Sequence, residues 1–190
     1  MPYIPFSAMA GLKCQSLTVH HDTRGHFVES YRSSHAPFIV QQHNVSYSGA
    51  GVLRGLHYQQ RFPQAKLLRV LQGCIFDVVV DVRADSLTFG CHTSLMLYGP
   101  EYDNDEGASQ PHEQLFIPAG FAHGFYVVSD GAIVEYACDR TYQPGDEQCL
   151  LWNDPALGIA WPTTEPIVSA KDQQGMTLHQ LVQTGCLPYL

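Results

Sequence analysis

Apolar and polar residues alternate in short runs along most of the chain, with turn-forming residues about every ten positions, which is the pattern of short strands rather than of helices. The clearest run is CIFDVVVDV, residues 74–82. At a period of two, Ile75, Asp77, Val79 and Asp81 share one face of that strand, and Phe76, Val78, Val80 and Val82 share the other. Two acids on so apolar a strand need partners. Asp81 reads as a cap or bridge at the strand end, and Asp77 as a residue able to meet Lys66 or His123 inside a barrel. Further strands are predicted at 53–59, 66–71, 92–97, 114–117, 124–128 and 133–138. Helix is sparse: 177–183 is the best candidate, with a turn around 32–36. The polar, acidic stretch YGPEYDNDEGASQPHE at 98–113 reads as a surface loop. The tail after Trp161 reads as a wrapping segment. No repeat or linker divides the chain, so residues 1–190 are expected to form one domain.

One stretch, GVLRGLHYQQRFPQAKLLRVLQG at 51–73, is similar to the first motif of the cupins. That motif runs glycine, five residues, His-x-His, a gap, Glu, six residues, glycine. Gly51 and His57 fit its first half, and Lys66 and Gly73 fit its second. Gln59 stands where the second His belongs and Lys66 where the Glu belongs. The second cupin motif is matched by PAGFAH at 118–123, which supplies His123. A set of His57, Gln59, Lys66 and His123 is poor for zinc, iron or manganese, which want several neutral imidazoles or carboxylates. No metal and no cofactor is therefore expected. What remains is a base beside a fixed cation inside a barrel, which is chemistry for making and holding an enolate.

Composition sets the limits of this reading. A chain of 190 residues, 45% of them apolar, can bury a sizeable core, and a formal net charge of −8 argues against nucleic acid or an anionic membrane as the main partner. The six cysteines, at 14, 74, 91, 138, 149 and 186, form no C-x-x-C pair and read as reduced thiols. No secretory signal and no apolar run of ~20 residues is visible, so a cytoplasmic protein without a membrane partner is expected.

Ordered motifs along nearly the whole chain resemble the dTDP-4-dehydrorhamnose 3,5-epimerases. They are Asp22-x-Arg24-Gly25-x-Phe27-x-Glu29-Ser30, Gln42-x-Asn44-x-Ser46, the Arg54-Gly-Leu-His57-Tyr-Gln59 run, Lys66-Leu, Gly73-x-Ile-Phe-Asp77-Val, Pro118-x-Gly-Phe-Ala-His123-Gly-Phe, Glu135-Tyr136, Trp152-Asn-Asp154 and Ser169-x-Lys171-Asp172. The resemblance implies an all-β fold, a cupin-type jelly-roll barrel (double-stranded β-helix) with a few short peripheral helices, working as a homodimer without metal. It also implies the chemistry. In a nucleotide 4-keto sugar the hydrogens on C3 and C5 both lie next to the carbonyl, so a base can remove either and the proton can return on the opposite face. His57 matches that base, suited by histidine's ordinary titration near neutrality. Asp172 matches its orienting carboxylate, Lys66 the cation that stabilises the enolate, and Tyr136 the acid on the other side of the ring.

Binding residues follow from the same resemblance. Arg24 and Arg54 match diphosphate contacts, a role that suits the guanidinium fork. Phe27, Glu29, Gln42 and Asn44 match residues around nucleotide and sugar, some reached from the neighbouring subunit. Tyr142 matches an aromatic over the base, and His123 lies near the sugar carbonyl. Strand parity raises one difficulty: Arg54 falls on the opposite face from His57, so both can line one pocket only if the backbone bulges near Gly55. His20, His21, His35, His92, His112 and His179 read as ordinary surface or loop residues, and Trp152 and Trp161 as packing residues. Compared with the family, the gap from His57 to Lys66 is one residue shorter and the loop at 98–113 longer, which leaves room for altered substrate choice. The reading is a 3,5-epimerase of dTDP-4-dehydro-6-deoxy-D-glucose. Its alternatives are a related 3- or 5-epimerase, a keto-isomerase, or a cupin that binds sugar nucleotides without turnover.

Overall fold

The computed structural model describes residues 3–102 and 110–190. Part of the acidic loop, 103–109, lies outside the described residues. Among them the strands are β1 (Lys13–Ser16), β2 (Val19–Asp22), β3 (Gly25–Val28), β4 (Gln42–Gly49), β5 (Val52–Gln59), β6 (Lys66–Gln72), β7 (Cys74–Asp81), β8 (His92–Tyr98), β9 (Glu113–Ile117), β10 (Phe121–Val127), β11 (Gly131–Cys138), β12 (Glu147–Cys149) and β13 (Ile167–Val168). Two short helices follow, α1 (Ala170–Gln173) and α2 (Leu178–Gln183). One sheet has the order β1-β9-β6-β11-β4, and the other β12-β5-β10-β7-β8 with β13 added in parallel to β5. Strands β2 and β3 form a separate hairpin. The two large sheets face each other as a cupin-type jelly roll, so the all-β fold implied by the motifs is the one observed.

The alternation along each strand decides what the barrel contains. Leu68 and Val70 of β6, Ile75 and Val79 of β7, Leu97 of β8, Leu115 and Ile117 of β9, Phe125 of β10 and Val134 of β11 form one buried cluster between the sheets. A second cluster lies on the outer face of the six-stranded sheet: Val78, Val80 and Val82 pack with Leu56, Tyr58, Leu150, Leu157, Leu178 and Leu181. Strand β7 is thus buried on both faces, which is why its sequence is almost continuously apolar. The tail supplies the outer layer. Helix α2 lays Leu178 and Leu181 onto the sheet, and its start is fixed by a capping box between Thr177 and Gln180.

Both acids of β7 find partners. Asp81, fully buried, accepts from Arg83 Nε at 2.9 Å, Ser86 Oγ at 2.5 Å and Thr88 Oγ1 at 2.6 Å, closing the turn at the strand end. Asp77 points between the sheets, as described below. Two histidines read as surface residues are instead buried. His92 is 3% exposed beside Tyr3, and His112 is 4% exposed with Nδ1 at 3.0 Å from the Tyr98 carbonyl. His92 is covered by the N-terminal segment that pairs with it at Tyr3, which a period-two reading of one strand cannot register, and His112 lies near the end of the stretch read as a surface loop, where it meets the Tyr98 carbonyl. Trp161 packs on Phe76 and donates to the Trp152 carbonyl at 2.8 Å. All six cysteines are free. No helix among the described residues is long and apolar enough to cross a membrane.

Candidate active site

At one end of the barrel the apolar filling gives way to polar side chains that line a cavity of about 730 Å³. The strands explain the change. On β4 the inward positions are Gln42, Asn44, Ser46 and Ser48, all polar, while Val45 and Tyr47 point out and are exposed. On β6 the inward series Val70, Leu68, Lys66 ends in a lysine. Tyr136 sits on β11 between Asn44 of β4 and Leu68 of β6. The opposite wall comes from β5 and β10, where His57 and His123 are directly paired. Cross-strand neighbours of this kind have Cβ atoms ~4.5–5.5 Å apart.

Arg54 reaches the same cavity through a bulge. His123 pairs with His57 and Phe125 with Arg54, so Gly55 and Leu56 on β5 together oppose Gly124 on β10. The extra residue reverses the parity of β5 and brings Arg54 to the wall that carries His57. Gly55 has φ +123° and lies against Gly124: a Cβ on Gly55 would stand 2.6 Å from the Gly124 Cα. The expected bulge near Gly55 is thus present, and only glycine fits on either side of it. Arg54 is anchored at the mouth by Ser48 Oγ at 2.7 Å and the Tyr47 carbonyl at 3.1 Å. Its remaining N–H groups face the opening.

His57 is held by a residue far away in sequence. Strand β13 pairs with the start of β5, and Ser169 then caps α1 by accepting from the Asp172 N–H at 3.1 Å. The turn places the Asp172 carboxylate, 3% exposed, with Oδ1 at 2.6 Å from His57 Nε2 and Oδ2 at 3.3 Å from the Gly55 N–H. Burial acts to raise the Asp172 carboxyl pKa, but the hydrogen bond and charge of His57 and the Gly55 N–H outweigh it, and the net shift is downward. An ionised Asp172 can only accept, so His57 Nε2 carries a proton, and in the neutral imidazole the lone pair is on Nδ1. Cys149 lies opposite His57 across β12 and β5, its Sγ at 3.8 Å from Asp172 Oδ1. Burial, then the Asp172 charge, pushes the Cys149 thiol up to about 12.

The other ionisable groups are arranged around a second pair. His123 Nε2 is 2.7 Å from Asp77 Oδ2, and Asp77 Oδ1 is buried with no hydrogen-bond partner. Lys66 is enclosed by the barrel wall, and among the described residues its ammonium makes no ion pair or hydrogen bond. Burial lowers its pKa, with Cys138 and Asp77 pulling the other way. Tyr136 is shifted upward by burial first and by Cys138 second, against Arg54, so its hydroxyl stays protonated at neutral pH. The cavity therefore presents an imidazole on one sheet, a phenol on the facing sheet, and a lysine that among the described residues makes no ion pair.

Gln42, Asn44, Arg54, His57, Lys66, His123, Tyr136, Tyr142 and Asp172, all singled out in the sequence, line this one cavity. Gln42 ties two of its walls together, donating to Asn44 Oδ1 at 2.8 Å and accepting from the Tyr142 N–H at 2.7 Å. Arg24, Phe27 and Glu29 are not brought to it. Arg24 sits at the β2–β3 turn paired with Asp22, Phe27 is 67% exposed on that hairpin, and Glu29 pairs with Arg32 over a separate cleft. Gln59, at a former ligand position, is turned out of the cavity and donates to the Gln143 carbonyl at 3.0 Å. Sequence reasoning missed Cys149 and Glu147, and named Lys171 only as part of the Ser169-x-Lys171-Asp172 motif, without a site role. Lys171 and Glu147 form an ion pair at the rim, and nothing in the sequence sets Glu147 apart from other surface charges.

A family profile described as dTDP-4-dehydrorhamnose 3,5-epimerase matches residues 7–180. A dTDP-4-dehydrorhamnose 3,5-epimerase of Neisseria gonorrhoeae is 44% identical over 180 residues, which are 92% of this chain and 52% of that protein. The chain thus spans about half the length of this relative. A 3,5-epimerase from Legionella pneumophila, solved in complex with dTDP-4-keto-L-rhamnose, superposes with a TM-score of 0.82 at 38% identity, over 94% of this chain and 93% of that one. A 3′-monoepimerase from Streptomyces bikiniensis in complex with dTDP-quinovose superposes with a TM-score of 0.84 at 33% identity, over 99% and 92%.

Proposed function

The chain belongs to the dTDP-4-dehydrorhamnose 3,5-epimerase family, and from that premise we propose that it inverts C3 and C5 of dTDP-4-dehydro-6-deoxy-D-glucose to give dTDP-4-dehydro-L-rhamnose, without metal or cofactor. The observation that carries the reading is the buried Asp172 carboxylate at 2.6 Å from His57 Nε2, in a cavity shared with Lys66. A histidine needed only for packing requires no such carboxylate. The pair frees Nδ1 to accept a proton from C3 or C5. As the C–H bond breaks, its electrons move onto the C4 oxygen, and Lys66 with His123 stabilises that enolate. Interactions of this kind are worth several kcal/mol in a site from which water is excluded. Tyr136, on the facing sheet, delivers a proton to the opposite side of the carbon, and the C4 carbonyl re-forms. Arg54 holds the diphosphate and Tyr142 covers the base.

Arg24, Phe27 and Glu29 then act on a second copy. Their exposure on one protomer suits residues that complete a neighbour's site, and the working unit is a homodimer acting on the cytoplasmic nucleotide-sugar pool. Sedimentation of a fully active monomer at micromolar concentration would remove this part. The reaction itself is tested by incubating the protein with dTDP-4-dehydro-6-deoxy-D-glucose in heavy water and following C3 and C5 by proton NMR. Exchange and inversion at both carbons are expected. Because the 3′-monoepimerase superposes as well as the 3,5-epimerase does, a single-site epimerase is the second reading, and inversion at only one carbon would establish it. Absence of exchange at both would refute epimerisation altogether.

A further inference from the structure

Beyond turnover, we propose that His57, Cys149 and Asp172 together form an inhibitory site for a thiophilic divalent cation, Zn²⁺ being the natural candidate. Three ligand atoms of different kinds converge there. The His57 imidazole nitrogen, the Cys149 sulfur and an Asp172 carboxylate oxygen lie within 4.8 Å of one another, and no other such group of three exists among the described residues. The convergence is built by the fold: β12 sets Cys149 directly opposite His57, and α1 brings Asp172 up against both. This site shares only His57 with the cupin ligand positions; Gln59, Lys66 and His123 take no part in it.

Zinc binds nitrogen and oxygen at ~2.0–2.2 Å and sulfur at ~2.3 Å in a tetrahedron, which places the ligand atoms roughly 3.3–3.6 Å apart. The sulfur already lies 3.8 Å from Asp172 Oδ1, while the imidazole nitrogen is closer than a tetrahedron allows, at 2.6 Å. A cation must therefore part His57 from Asp172 by somewhat under ~1 Å and draw the thiol toward the imidazole, from within 4.8 Å to roughly 3.5 Å. His57 and Asp172 both line the cavity, so water from it can supply the fourth ligand. Loading the site requires the His57–Asp172 hydrogen bond to break.

The protons balance simply. The Cys149 thiol loses its proton to solvent, and the His57 proton moves from Nε2, which takes the metal, to Nδ1. One proton is released per cation, so affinity rises with pH. The inhibition follows from the same shift, because Nδ1–H has no lone pair with which to abstract a sugar proton. That consequence rests on His57 as the base, whereas metal binding does not.

Titration with Co²⁺ as the spectroscopic probe tests the site. One equivalent should produce a thiolate-to-cobalt charge-transfer band, release one proton to an indicator and be displaced by Zn²⁺. Cys149→Ser should lose the band, and Cys91→Ser should keep it. In the exchange assay, Zn²⁺ should inhibit and a chelator should restore the rate. Cys149→Ser should need at least tenfold more Zn²⁺, with inhibition referred to each variant's own uninhibited rate. A band that survives in Cys149→Ser, or equal zinc sensitivity of the two proteins, overturns the site. A Cys149-dependent band with undiminished exchange leaves the metal site standing and overturns both its inhibitory role and His57 as the base.

Discussion

Replacing Asp172 by Asn removes one charge and almost no volume, and the geometry around it dictates the outcome. Both carboxylate oxygens accept hydrogen bonds, Oδ1 from His57 Nε2 and Oδ2 from the buried Gly55 N–H. An amide offers one oxygen and one NH₂ group. If the oxygen faced His57, the NH₂ would be driven against the Gly55 N–H, two donors with no acceptor between them. The amide oxygen therefore goes to Gly55, and the NH₂ donates to His57 Nε2. That forces the imidazole into the tautomer with hydrogen on Nδ1, and the base is gone. A general base contributes typically ~10²- to 10⁴-fold, and the upper value corresponds to about 5.5 kcal/mol of barrier. In heavy water, Asp172→Asn should therefore exchange both C3 and C5 at least ~10²-fold more slowly than wild type, with KM little changed. Exchange within tenfold of wild type would mean that Asp172 only holds α1 in place. A second readout follows from the lowered Asp172 pKa. A depressed carboxyl contributes stability that is present above its unfolded value of about 3.9 and is lost as pH falls through the folded value. The stability difference between wild type and Asp172→Asn should therefore shrink on acidification below about pH 4.

Tyr136→Phe should retain proton abstraction, seen as exchange, while inversion falls by ~10²-fold or more; equal loss of both by one factor would abolish the division of labour between His57 and Tyr136. Lys66→Met should lose exchange at both carbons. Because burial lowers the Lys66 pKa and its cation is the active form, the alkaline fall of wild-type activity should begin below the ordinary lysine value of 10.5 and move to higher pH in Lys66→Arg; an unmoved alkaline limb would remove Lys66 from the charge-stabilising role. Gly55→Ala places a Cβ 2.6 Å from the Gly124 Cα and 2.8 Å from the His123 carbonyl oxygen, with backbone on both sides unable to yield. Thermal unfolding should register a loss of more than ~2 kcal/mol, and an unchanged midpoint would refute the tight bulge.

Much of the barrel is legible in the sequence because a strand buried on one or both faces repeats its apolar residues at a fixed period. Strand β7 and the cores of β5, β6, β8, β9, β10 and β11 are found this way. Strand β4 is not, and the reason is functional: its inward face lines the cavity and is polar, while Val45 and Tyr47 point outward. Its hydrophobic pattern is inverted relative to the core strands. Strands β1, β2, β3, β12 and β13 run for four residues or fewer, too short for any period to emerge. For the site, the parity conflict between Arg54 and His57 correctly called for a bulge. The family resemblance assigns some of Phe27, Glu29, Gln42 and Asn44 to a neighbouring subunit without saying which; in the fold Gln42 and Asn44 line the cavity of their own chain, and Arg24, Phe27 and Glu29 do not. Cys149 escaped notice for a different reason: its importance comes from lying opposite His57, and spacing along the chain carries no trace of it.

The attachment of Asp172 to the start of the barrel through β13 also has a temporal meaning. Synthesis proceeds from the N-terminus, and the strands that carry His57, Lys66, His123 and Tyr136 are complete once residue 138 has emerged. At that stage His57 has no carboxylate to fix its proton. The orienting carboxylate arrives more than thirty residues later, when β13 docks beside β5 and α1 turns in. Contacts so distant in sequence are slow to form, since the loop between them must close first. On the proposed mechanism, a stalled or clipped product lacking the α1 segment would have no carboxylate to orient His57, and it would also lack the Leu178 and Leu181 cover of the outer sheet face.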